Sequence, residues 1–227
     1  MGLEPNRIKA VLFDIDGTLS DSDDQMVEKA ERFLWPFLFF LNAERRMKTA
    51  RWLVMAVESP GNFIYNLADR FDMDSFFIRA LDRRSRQRRS RPRTYRLIPG
   101  VCETLDALKG RYRMGIVSAR DEHASRGFIE KFGLSKYFSV IVTSQTVRHT
   151  KPFPDPLLYA AHSLGVDPDA CVMVGDTTVD MRAAKLSGMQ AVSVLCGFGS
   201  EGELRRAGAD LILPSLHELP VVLGIQN

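Results

Sequence analysis

Asp14 and Asp16 stand two residues apart, directly after the apolar run Ala10-Val11-Leu12-Phe13. Residues at that spacing share a face of an extended chain, and a turn at Gly17 could bend the second acid toward the first. Two carboxylates so close repel each other and call for a cation or a shared proton. An EF-hand is excluded, because counting from Asp14 puts Leu19 at the required glycine and Gln25 at the bidentate glutamate. A second acidic pair, Asp176 and Asp180, follows the apolar segment 171–174 and Gly175. Asp180 reads either as a site acid or as a first-turn acid of a helix. Lys151 lies in Lys151-Pro152-Phe153-Pro154-Asp155-Pro156. Prolines stiffen that loop, so the lysine loses little further entropy on holding an anion; a solvated loop charge is the alternative. Ser118 closes Gly115-Ile116-Val117 and suits a helix N-cap or a phosphate donor. No G-x-S-x-G and no histidine pattern accompanies it, which argues against a serine-hydrolase nucleophile.

These residues need a scaffold, and the sequence supplies one. Ala10-Val11-Leu12-Phe13 has the form of a buried parallel strand that delivers polar groups at its carboxyl end. From Pro99 onward helix-like and strand-like segments alternate. Helices are predicted over 101–109, 122–132, 156–164, 179–187 and 201–207, and strands over 114–117, 140–142, 171–174, 191–195 and 210–213. Asp155 is expected to cap the helix that opens with Pro156, and Gly188 to stop the one before it. Repeated αβ units imply an α/β fold, a mostly parallel sheet covered on both faces. Such sheets bind ligands beyond the carboxyl ends of their strands. All four elements fall there, on one rim. Several carboxylates, a lysine and two hydroxyls suit Mg²⁺ together with a phosphoryl group.

The segment 21–96 interrupts the rhythm. It holds no convincing strand, and its apolar residues fall at helical spacing, as in Phe63, Leu67 and Phe71. We expect an all-helical insertion after the first strand, giving domains of 1–20 with 97–227 and of 21–96. The 227 residues suffice for one or two domains with a real core, and 45% hydrophobic content excludes disorder. Net charge is only +3, but nine arginines and one acid between Arg79 and Arg96 concentrate +8 there and leave −5 elsewhere. That stretch is a solvated linker, a clamp for an anionic substrate, or a non-specific nucleic-acid contact. The aromatic run Phe33-Leu34-Trp35-Pro36-Phe37-Leu38-Phe39-Phe40 is core of the insertion, or a surface for a partner or membrane. The longest apolar run, residues 33–41, falls short of the roughly 20 residues a spanning helix needs. Cys102, Cys171 and Cys196 are scattered and odd in number, as reduced core thiols are. Four scattered histidines show no ligand spacing. A soluble, cytoplasmic protein without a transmembrane segment is expected.

The series Asp14-Ile15-Asp16-Gly17-Thr18-Leu19, Ser118, Lys151-Pro152, and Gly175-Asp176 with Asp180 resembles the four motifs of the haloacid dehalogenase-like hydrolases, in order. Ile98-Pro99-Gly100-Val101, the 151–156 loop, Cys196-Gly197-Phe198-Gly199 and Ala207-Gly208-Ala209-Asp210 resemble its phosphoglycolate phosphatase branch. The resemblance implies a Rossmann-like core with a helical cap. It implies Asp14 as nucleophile and Asp16 as general acid, then base. It implies Mg²⁺ held by Asp14, the Asp16 backbone carbonyl and Asp176, with Asp180 orienting that shell. Thr18, Ser118 and Lys151 would bind phosphate oxygens. Asp16, which the family's dehalogenases lack, points to phosphate rather than carbon–halogen chemistry. Ala119-Arg120 departs from the branch, and Arg120 either reaches a substrate anion or faces solvent. The expected function is Mg²⁺-dependent hydrolysis of a small phosphorylated metabolite. A phosphomutase and a non-catalytic scaffold that binds a partner through the basic, aromatic insertion are the alternatives. No specific nucleic-acid partner is expected, and an apolar cap face could support a homodimer.

Overall fold

The computed structural model describes residues 2–21 and 95–225. The chain divides into two compact units, Met1–Asp23 with Arg96–Asn227, and Asp24–Tyr95. Almost all of the expected helical insertion, with its aromatic run at 33–40 and its arginines at 79–93, lies outside the described residues.

Six strands make one sheet: β1 (Ala10–Phe13), β2 (Arg113–Val117), β3 (Val140–Val142), β4 (Cys171–Gly175), β5 (Gln190–Val194) and β6 (Leu211–Leu213). Their order is β3-β2-β1-β4-β5-β6 and every pairing is parallel. The order reverses at β1, between β2 and β4, where doubly wound sheets open a crevice for ligands. All four residues of β1 are buried, as a central strand covered on both faces requires. On one face Ala10 and Leu12 join Leu157, Ala160, Ala161, Met173, Met181 and Ala184 in the core. From the other side of β1, Phe13 meets Phe138 edge-on, with centroids 6.1 Å apart.

Register does the positioning. Phe13 is level with Ile116 of β2 and Val174 of β4. Asp14 is thus one step past its strand partners, and Ser118 and Asp176 come one step later on the neighbouring strands. Sequence segments far apart are brought to one rim by three short, aligned strands.

The helices are α1 (Val101–Leu108), α2 (Glu122–Lys131), α3 (Asp155–Leu164), α4 (Thr178–Leu186), α5 (Glu201–Arg206) and the short α6 (Leu219–Val222). α3 packs on β1, β2 and β3, and α4 on β4 and β5. Gly188, at φ 73°, follows the end of α4 as expected. Two local expectations need correction. Asp155 does not cap α3; it is the first helical residue and instead lies 3.0 Å from His149 Nδ1. α6 and the preceding 3-10 turn at Leu216–Glu218 were not foreseen, being too short to show a period. They seal α1: Thr104 Oγ1 donates to the Leu216 carbonyl and Tyr112 Oη to that of Leu223.

After β1 the chain folds back on itself. The Leu19 and Ser20 amides donate to the Ile15 carbonyl, and the Gly17 amide to that of Ser20. Gly17 has φ 71°, a value glycine adopts without steric cost. The departing and returning chains then pair, Asp21 N with Arg96 O and Ile98 N with Leu19 O, each at 3.0 Å.

Candidate active site

Asp14 sits at the end of β1 with its amide tied to the Val174 carbonyl at 3.0 Å. Its carboxylate is buried, and Lys151 Nζ lies 2.9 Å from its Oδ1. The same ammonium lies 2.6 Å from Asp180 Oδ1. Lys151 is itself buried, so it is an interior cation between two interior anions rather than a solvated loop charge. Burial pushes the Asp14 carboxyl up to about 7; Lys151 opposes that, while Asp180 and Asp16 add to it. Burial alone would lower Lys151, but Asp14 and Asp180 outweigh it and hold the ammonium above its usual range.

Asp180 reconciles the two readings of its sequence position. It is the third helical residue of α4 and closes a capping box with Thr177. Its Oδ2 accepts from Thr177 N at 3.1 Å and Thr177 Oγ1 at 2.6 Å, leaving Oδ1 for Lys151. A helix cap and a site acid are here one residue. Gly175 permits this, because a Cβ there would stand 2.5 Å from the Asp180 side chain.

Asp176 is fully buried and held by a loop whose role was not foreseen. Phe198 N donates to Asp176 Oδ2 at 2.9 Å and Gly199 N to the Asp176 carbonyl at 3.0 Å. A Cβ on Gly197 would lie 2.0 Å from Asp176 Oδ2. The two glycines flanking Phe198 were the available signal, since glycine marks close approach of backbone to a partner. Cys196 Sγ, 3.3 Å from the Gly17 carbonyl, ties this loop to the turn after β1. Thr18 is also fully buried, and its hydroxyl lies 3.4 Å from Asp176 Oδ1.

One oxygen from each of Asp14, Asp176 and Asp180 falls within 4.8 Å of the others. Three hard oxygen donors at that separation fit a small divalent cation such as Mg²⁺. Asp180, with both oxygens engaged by Lys151 and Thr177, is placed to support such a shell rather than complete it.

Asp16 faces another way. Its carboxylate is gripped by Arg120, with Nε to Oδ2 at 2.5 Å and Nη2 on Oδ1. Arg120 therefore does not face solvent; its guanidinium also lies 5.8 Å from the Phe128 ring centroid. Nor does Ser118 cap α2. Asp121 does so, accepting from Ala124 N, while buried Ser118 Oγ accepts from Arg120 N at 3.2 Å. The serine directly follows β2 and stands three residues before the capping position, too early for a cap.

Comparison with known proteins agrees with this geometry. Residues 11–194 match the model of the haloacid dehalogenase-like hydrolase family. The chain belongs to the haloacid dehalogenase-like hydrolases. It is 27% identical to a phosphoglycolate phosphatase of Nitrosococcus oceani, over 94% of this chain and 96% of that one. A plasmid-encoded phosphoglycolate phosphatase of Cupriavidus necator is 31% identical, over 94% and 92%. The crystal structure of a HAD phosphatase from Thermococcus onnurineus superposes with a TM-score of 0.60 at 29% identity, covering 96% of this chain and 99% of that one. Within the haloacid dehalogenase-like hydrolases the chain is thus a phosphatase-type enzyme. Among its described residues no helix is long and apolar enough to cross a membrane.

Proposed function

We propose that this haloacid dehalogenase-like hydrolase removes phosphate from a small phosphorylated metabolite through an aspartyl-phosphate on Asp14, with Mg²⁺ as cofactor. The observation that carries this is the buried Asp14 at the end of the central strand, faced by Lys151 at 2.9 Å and clustered with Asp176 and Asp180. A buried carboxylate beside a cation, aimed into the crevice of the sheet, is a nucleophile with little water around it.

Asp14 attacks phosphorus in line with the leaving oxygen. The P–O bond to the leaving group breaks as the bond to Asp14 forms, and Asp16 gives its proton to the departing oxygen. Water then attacks the same phosphorus, Asp16 takes its proton, and the Asp14–phosphorus bond breaks to return the free carboxylate and inorganic phosphate. Lys151 and Ser118 offer donors to the phosphoryl oxygens, so charge is met by groups already in place. Thr18, with its hydroxyl near Asp176, orients that acid in place of the phosphate contact that resemblance implied. Asp14, the Asp16 carbonyl and Asp176 would hold Mg²⁺, with Asp180 as support; bound there, the ion would neutralise charge on the phosphoryl group. The relatives' name makes phosphoglycolate the first substrate to try, followed by sugar phosphates.

The test is phosphate release from p-nitrophenyl phosphate and phosphoglycolate, with Mg²⁺ or with EDTA, for wild type and Asp14→Asn. We expect metal-dependent release that Asp14→Asn lowers by at least about 10⁴-fold. Undiminished turnover in that variant would refute the nucleophile, and isomer formation without phosphate release would mark a mutase.

A further inference from the structure

Lys151 reaches the site from the irregular connection between β3, which ends at Val142, and α3, which begins at Asp155. A lysine stem is long and flexible, yet this Nζ stands 2.9 Å from Asp14 and 2.6 Å from Asp180 at once. The backbone that carries it must therefore be moored on both sides. Downstream the mooring is firm. α3 packs on β1, β2 and β3, and the Pro154 carbonyl accepts from the Leu157 and Leu158 amides and from Ser187 Oγ, just beyond α4. Upstream, Val147 packs against the core and the Thr150 carbonyl accepts from Phe153 N at 3.0 Å.

His149 joins the two sides. Its Nδ1 lies 3.0 Å from Asp155 Oδ1, and its ring lies against that of Phe153 with centroids 5.1 Å apart. The partners are six residues apart and Lys151 lies between them. A carboxylate only accepts, so Nδ1 is the donor. Asp155 opens α3 without capping it, which leaves its carboxylate for this ring. The two side chains are 28% and 40% exposed, so their contact adds little to global stability. What it fixes is local. It closes a small ring of chain, anchored to a packed helix, with the lysine on its far side. Slippage there would lengthen both Nζ contacts together, and a misplacement of about 1 Å at a reacting group can cost on the order of 10²-fold.

We infer that His149 and Asp155 are positioning residues, a clasp that holds the 149–155 loop so that Lys151 meets Asp14, Asp180 and the phosphoryl group together. This rests on the phosphatase reading, in which Lys151 binds phosphoryl oxygens, and adds the groups that set its place. Both residues act through Lys151, so breaking the clasp weakens the hold on phosphate while leaving the fold intact.

The experiment uses full-length wild type, His149→Phe, Asp155→Ala, the double variant and His149→Asn, all with Mg²⁺. KM and kcat are measured on p-nitrophenyl phosphate and phosphoglycolate, with inorganic phosphate as inhibitor, and melting is followed with and without inorganic phosphate. His149→Phe keeps a ring beside Phe153 but removes the donor. It and Asp155→Ala should each raise KM and the inhibition constant for phosphate by roughly 10-fold, more than they change kcat. The phosphate-free melting temperature should barely move. The double variant should lose no more than the worse single one, because both break the same contact. His149→Asn, whose amide nitrogen can stand near the place of Nδ1, should recover most of the loss. Unchanged KM and inhibition overturn the inference, as do losses that multiply in the double variant or a His149→Asn no better than His149→Phe. A phosphate-free melting temperature that falls in step with the affinity also overturns it, leaving the pair a folding role alone. If Asp155→Ala fails to fold, His149→Phe and His149→Asn decide. Wild-type turnover matched by every variant defeats this inference alone. No release of phosphate from either substrate defeats the phosphatase reading, and the clasp then stands only if phosphate raises the melting temperature of wild type more than that of His149→Phe.

Discussion

Lys151 and Arg120 each grip a carboxylate of the same site, but in different surroundings. Lys151 is buried between two buried acids and belongs to a latticework of Thr177, Asp180, Asp14 and the strand ends. Arg120 is rooted near Phe128 and Ser144 and reaches outward to an acid that is more than a third exposed. The inner set has no direction to move without leaving a charge alone in a dry place, so it suits groups whose position must stay constant through the reaction. The outer pair can open at lower cost. That is what the acid and base role proposed for Asp16 requires, and under that proposal the difference separates the part of the site that would hold phosphate from the part that would handle protons.

If that contrast is right, the inner set should be the more costly to break. Lys151→Ala leaves Asp14 and Asp180 facing each other without their cation and should destabilise the metal-free protein by about 3–5 kcal/mol. Added Mg²⁺ should recover more melting temperature in this variant than in wild type; an unchanged melt in EDTA would mean the interior pairings contribute nothing. Gly197→Ala drives a methyl into Asp176 and should raise the Mg²⁺ concentration for half-maximal activity by roughly 10- to 100-fold. A metal titration monitoring turnover reads this directly, and an unshifted curve would remove the 196–199 loop from the site.

The pH dependence sharpens the same point. With its carboxyl pushed from 3.8 up to about 7, Asp14 keeps a proton in the folded protein that the unfolded chain has lost. Between those values stability should fall as pH rises, because the folded state binds more protons there. Lys151 acts in the same direction but only in alkali: its raised value favours folding up to the ordinary lysine range, and that contribution is lost as pH climbs beyond it. Denaturant unfolding in EDTA at pH 4.5 and 7.5 should show the fall in wild type and a flatter response in Asp14→Asn. Equal slopes in the two proteins would deny Asp14 its buried charge. The smallest effect belongs to Thr177→Ala, which removes one side of the capping box and should cost about 1 kcal/mol. Its activity should drop modestly, since Lys151 still holds Asp180; loss as severe as Asp14→Asn would show that Asp180 depends on its cap.

The motif residues were legible in the sequence because each follows a short apolar strand in an alternating αβ series. Strand ends were displaced by only a residue or so, as at β4, which runs on to Gly175. What escaped reading was partnership. The sequence alone allows Asp180 as either a cap or a site acid, and it is geometrically both. Ser118 suits a cap by type and position, yet the capping acid is Asp121. Nothing local in the sequence tells whether Arg120 meets a substrate or solvent, and in the fold it holds Asp16. The 196–199 loop resembled the family without any stated task, and it proves to carry Asp176.

By itself the sequence determined the residue types, their order, and the α/β alternation that delivers them to one rim, because periodicity and turn residues are local properties of the chain. Only the tertiary structure decided which charge meets which. Lys151 and Asp180 are 29 residues apart and Arg120 and Asp16 are 104 apart, so their pairing depends on strand order and register. No local pattern encodes that choice: it follows from β1 lying between β2 and β4, with the loops after each strand converging where burial makes every unpaired charge expensive.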